Sequence, residues 1–113
     1  MKSLISILLL LPAAALAEGT EEQVEMPDLA ADALAEEAGS ANRVRGLELS
    51  RAVPRRNGSK TMCATTNAYN RSGNFIGLTY WEFTFNGDGT ELDSMRDVTG
   101  LNSACYSARY KKY

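Results

Sequence analysis

Residues Lys60–Phe85 read KTMCATTNAYNRSGNFIGLTYWEFTF. Two segments rich in threonine, aromatic and β-branched residues flank an Asn/Gly-rich centre, and that contrast decides the fold. Lys60 to Ala68 predicts one strand and Phe75 to Phe85 a second. NAYNRSGN between them has turn chemistry. Asparagine tolerates left-handed backbone and bonds nearby main chain, and glycine takes positive φ at no steric cost. Along the second strand Ile76, Leu78 and Tyr80 share one face while Trp81, Phe83 and Phe85 share the other. The apolar face therefore changes near Tyr80–Trp81. Either both faces are covered or a bulge re-aims the strand.

Downstream, NGDGT from Asn86 predicts a tight turn, with Asn86-Gly87 as a type I′ hairpin dipeptide. Glu91 to Val98 then returns as a third antiparallel strand or a less regular segment. Leu101 to Tyr110 closes the fold, with helix and strand both open for it. Upstream, Leu47 and Leu49 alternate in RVRGLELSRAV, which predicts a short strand, or a helical turn, stopped by Pro54. Asn57-Gly58 is a turn dipeptide. Before that, Pro27 suits the first turn of a helix, and Asp28 and Asp32 sit near its positive end. Leu29, Ala30, Ala33, Leu34 and Ala38 form its apolar face, and Gly39 suits its C-terminal cap. That face is mostly alanine, which predicts shallow burial and loose docking.

The chain begins MKSLISILLLLPAAALA, which reads as a secretory signal peptide: Lys2, an apolar run from Leu4 to Leu11, and Ala15-Leu16-Ala17 as the cleavage site. Removal of the first 17 of 113 residues leaves 96, enough for one small domain. The apolar run is shorter than the roughly 20 residues that span a bilayer, so no transmembrane segment is expected after cleavage. Residues 18–26 read as an acidic flexible leader and residues 27–113 as the domain. Cys63 and Cys105 are the only cysteines. In an exported chain such a pair predicts one disulfide. The expected location is periplasmic or secreted.

The run from Cys63 to Gly77 resembles a group of small uncharacterised bacterial exported proteins. Their recurrent core is Cys-Gly-x-Val-Asn-Ala-Lys-Asn-x-x-Gly-Gly-Tyr-x-Gly. Here Cys63, Asn67, Ala68, Asn70, Gly73 and Gly77 match in register and Phe75 stands for the tyrosine. Ala64, Thr66, Tyr69 and Asn74 depart from it. Ser40, Ala41 and Arg45 resemble, one position out of step, a Ser-Ala-x-Phe-Arg element that precedes the core in that group. The resemblance implies an envelope setting and a shared scaffold. No activity comes with it.

Charge is unevenly distributed. Glu18 to Gly39 carries eight acids and no base, whereas Ser40 to Tyr113 carries eleven Lys/Arg against six Asp/Glu. Arg43, Arg45, Arg51, Arg55, Arg56 and Lys60 lie close in sequence, and Arg71, Arg109, Lys111 and Lys112 add to them. A basic surface of this kind suits an anionic envelope component or an acidic protein, or else is ordinary solvating charge. An exported chain with an acidic overall pI argues against nucleic acid.

The absence of histidine excludes Ser–His and Cys–His nucleophiles. Asn86, Asp88 and Asp93 have a faint calcium-loop look but lack the spacing and terminal glutamate of an EF-hand. No metal and no cofactor are predicted. Glu82 is the one acid inside the aromatic strand and reads as solvent-facing or as an arginine partner.

The sequence thus predicts an α+β domain: a short N-terminal helix plus a small, mainly antiparallel sheet, closed by a Cys63–Cys105 disulfide. The predicted role is a non-catalytic binding module. Its contact surface combines the 69–74 loop (Tyr69, Arg71) with a basic set (Arg43, Arg45, Arg55, Arg56). Asn67, Asn70, Gly73 and Gly77 serve as the loop's framework. The alternatives are an envelope inhibitor that inserts the same loop into an enzyme cleft, and a small enzyme using Glu82.

Overall fold

The computed structural model describes residues 25–113. The expected signal peptide and most of the acidic leader lie outside the described residues. Among those described there is one α-helix, α1 (Met26–Ala38), and six strands: β1 (Glu48–Leu49), β2 (Val53–Pro54), β3 (Lys60–Tyr69), β4 (Phe75–Phe85), β5 (Leu92–Asp97) and β6 (Lys111–Lys112). The order across the sheet is β5-β4-β3-β1-β6, with β2 also beside β3, and every pairing is antiparallel. The predicted α+β class is what the chain forms. No described helix is long and apolar enough to cross a membrane.

The helix begins one residue before Pro27 and ends on Gly39, whose φ of 94° gives the left-handed cap. Met26, expected as the last residue of the leader, is the first residue of the helix. Ala30 and Leu34 are buried to 0% and 3% exposure against Leu49, Met62, Ala64, Phe83 and Phe85. Leu29 and Ala33, also on the expected apolar face, are only partly buried against this cluster.

Pairing runs without a shift through Tyr80 and Trp81, with Thr65 opposite Tyr80 and Ala64 opposite Trp81. The change of apolar face there is met by covering both sides. The helix covers Trp81, Phe83 and Phe85. On the other face Tyr80 packs on Tyr106 (ring centroids 4.2 Å) and meets Tyr110 edge-on at 6.5 Å. The bulge lies further out. Tyr69 pairs with Phe75 and Ala68 with Gly77, which leaves Ile76 as the extra residue.

Three local expectations are corrected. The Asn86 turn is not type I′: the Gly89 amide bonds the Asn86 carbonyl, and the left-handed residue is Gly89 (φ 72°) rather than Gly87. Asn86 Oδ1 accepts from the Thr90 and Glu91 amides, which favours this longer loop over the two-residue form. Pro54 does not end a strand before it; it is the last residue of β2, on the sheet margin where a missing N–H is tolerated. Leu101–Tyr110 is neither a regular helix nor a strand. It holds a 3₁₀ turn (Ala104–Ser107) and leads into β6, which pairs with β1.

Cys63 and Cys105 form a disulfide with Cα atoms 5.5 Å apart. It fastens the 98–110 segment to the face of the sheet opposite the helix. Ser50 Oγ accepts from the Cys63 amide (2.8 Å), so the bridge is anchored to the β1–β2 link as well.

Candidate functional site

The β3–β4 hairpin extends beyond its neighbours. On one side β5 pairs only with Trp81–Phe85, and the chain leaves at Val98, whose amide bonds the Tyr80 carbonyl. On the other side the last main-chain contact to β3 is the Asn67 amide to the Arg45 carbonyl. The hairpin end past those points carries large apolar side chains in water: Phe75 is 57% exposed, Ile76 63%, Leu78 40% and Tyr69 39%.

Its backbone is closely specified. Asn70 Oδ1 accepts from the Ser72 and Asn74 amides, both at 3.0 Å, while the Asn70 carbonyl accepts from Gly73 and its amide donates to Asn74. Gly73 takes φ 85°, completing a type I turn with a left-handed residue, a standard hairpin loop. Gly77, at φ 129°, sits beside the bulged Ile76. Asn67 has a separate task. A Cβ on Gly46 (φ 64°) would lie 2.5 Å from Asn67 Nδ2, so only glycine lets the 45–46 segment run against this side chain. The four framework residues thus each set the shape of the hairpin or of its junction with the sheet.

Tyr69 and Phe75 meet edge to face (centroids 6.0 Å), and the Arg45 guanidinium stands 5.1 Å from the centre of the Tyr69 ring. A cation over an exposed ring adds about 0.5–1 kcal/mol. Arg71 occupies the exposed tip. Arg45 and Tyr69 are thus in contact, with Arg71 in the turn that follows Tyr69.

The rest of the basic set is not there. Arg55 and Arg56 belong to the turn that precedes Lys60, at the far end of β3, nine extended residues or about 30 Å from Tyr69. Arg43 lines a small depression with Leu34, Glu37, Thr66 and Trp81 near the C-terminal end of α1. The predicted surface thus falls into three places: the hairpin end, the Arg55–Arg56 turn and the Arg43 depression.

Glu82 is an arginine partner: Arg96 Nε donates to its Oε1 at 2.9 Å, the one ion pair among the described residues. Among those residues no cluster of three or more Asp, Glu or Cys side chains is arranged to hold a metal ion. The sequence reading missed that Phe75, Ile76 and Leu78 face water. They look like interior strand residues, and only the length of β5 shows that they are uncovered. No protein-family model, no curated protein and no solved structure matches the chain.

Proposed function

We propose that this chain is a non-catalytic binding module of the bacterial envelope or of the secreted space, and that the end of the β3–β4 hairpin is its recognition element. One observation carries the reading: Tyr69, Phe75, Ile76 and Leu78 are exposed together on the two strand ends that flank a turn fixed by Asn70. Contiguous exposed apolar side chains mark interaction sites. A loop fixed beforehand loses little conformational freedom on binding. Arg45 and Arg71 at its margin favour a partner with acidic residues around an apolar centre. The export signal in residues 1–17 and the motif resemblance supply the setting.

The convex, hydrogen-bonded tip equally suits an inhibitor that places Arg71 in an enzyme cleft, a special case of the same recognition. The Glu82 enzyme reading is weaker. Carboxylate chemistry in a cleft calls for a second acid, and Glu82 is the sole acid lining the groove beside it.

The test is capture from a bacterial envelope extract with the mature chain, a Tyr69→Ala/Arg71→Ala variant and an Arg55→Gln/Arg56→Gln variant. A protein recovered by the wild type and by the second variant but lost with the first is expected. Equal recovery by all three would refute the assignment.

A further inference from the structure

The arginines that the hairpin end leaves out converge elsewhere. On the face opposite the helix a groove of about 390 Å³ runs between the 50–55 segment and the 104–109 segment. Arg51, Arg55 and Arg109 line it, over apolar walls that include Val53, Ala104 and Ala108. These arginines come from three different stretches: the β1–β2 link, the turn after β2, and the tail held down by the disulfide. Glu82 also lines the groove, but its carboxylate is taken by Arg96. Among the described residues none of Arg51, Arg55 and Arg109 has a carboxylate within 4.0 Å.

We propose that this groove binds an oxyanion, a phosphate or a carboxylate, carried on an apolar body. Three guanidinium groups over a low-dielectric floor focus positive potential into the cleft. Guanidinium is the side chain suited to planar or bidentate contact with phosphate and carboxylate. The apolar walls then contact the remainder of the ligand, as ligand pockets generally do. Glu82 sets the limit on charge: it opposes an anion seated next to it and favours a group that offers a hydrogen-bond donor on that side. This site is independent of the hairpin end, since the groove and Tyr69 lie at opposite ends of β3.

The experiment is a titration of ¹⁵N-labelled mature protein followed by amide shifts, with two probes: inorganic phosphate and phenyl phosphate. Shifts are expected at residues 50–55, Cys63 and 104–109, with phenyl phosphate binding several-fold tighter than inorganic phosphate and both weakening as salt rises. Arg55→Gln and Arg109→Gln should each weaken phenyl phosphate by roughly tenfold, as loss of a charge-assisted contact does. Glu82→Gln should act in the opposite sense and strengthen it. Arg71→Gln and Tyr69→Ala should leave it unchanged, which separates this site from the hairpin reading. Equal affinity for the two probes would overturn the apolar-body assignment. Absence of shifts, shifts spread evenly over all exposed arginines, or indifference to the two groove variants would overturn the site.

Discussion

Reducing the Cys63–Cys105 bridge opens a cross-link between residues 42 apart in sequence. Closing a loop of that length contributes about 4 kcal/mol in the chain-entropy account. A domain of this size has about 5–10 kcal/mol in total, so the reduced protein should keep roughly a fifth to three-fifths of its stability. The cost also has a local part. The 98–110 segment has only a 3₁₀ turn and a few hydrogen bonds of its own, and the bridge fixes it over Tyr80. Urea titration with and without reductant, followed by the single tryptophan, reads this directly. Trp81 donates its indole N–H to Thr66 Oγ1 at 3.1 Å, and its carbonyl lies 3.6 Å from Cys105 Sγ, so its emission senses both the core and the bridge. Amide exchange should show protection at Val98 and Leu101 lost before protection in β3 and β4. Phenyl phosphate binding should disappear with the bridge, because Ala104, Ala108 and Arg109 leave the groove. A stability loss under about 1 kcal/mol would refute this account of what the disulfide does.

Further outcomes follow from single positions. Gly46→Ala puts a Cβ into Asn67 and strains a left-handed residue; it should destabilise by about 2 kcal/mol, read as a lowered urea midpoint with shifted hairpin amides. Phe83, fully buried between helix and sheet, should cost about 3–5 kcal/mol as Phe83→Ala, read as a large drop in the urea midpoint followed by circular dichroism. Burial, with Tyr80 beside it, pushes the Tyr110 phenol up to about 12. An unfolded tyrosine titrates near pH 10. Between about pH 10 and 12 the folded state therefore holds a proton that the unfolded state has lost, so stability is full below that window and falls as pH rises through it. Tyr110→Phe should flatten that decline, measured as urea midpoints at about pH 9 and pH 11.

Much of the architecture was legible because it rests on local chemistry. Pro27 and Gly39 bracket the helix, and the threonine-rich and aromatic runs became β3 and β4 within a residue of their expected ends. Asn70 and Gly73 form the turn that their conformational preferences predict. What was not legible depends on distant pairing. Nothing near Leu78 shows that β5 stops opposite Trp81 and leaves the hairpin end bare. Arg51, Arg55 and Arg109 share a groove because a disulfide folds the tail over the sheet, a convergence that a linear count of basic residues does not contain. The same count placed Arg55 and Arg56 with Arg71, although ten residues of extended chain separate their positions. The Asn86 turn shows a local signal outweighed: Asn-Gly favours type I′, but the side-chain oxygen of Asn86 binds the longer loop.

Site-specific photo-crosslinking tests the central claim most directly. A benzophenone side chain replaces Phe75 in one form of the mature protein and Arg56 in another, and each is irradiated in envelope extract. The hairpin-end account predicts a discrete adduct from position 75 that Tyr69→Ala/Arg71→Ala abolishes, and no such adduct from position 56. An adduct from position 56 alone, or none from position 75, would contradict it.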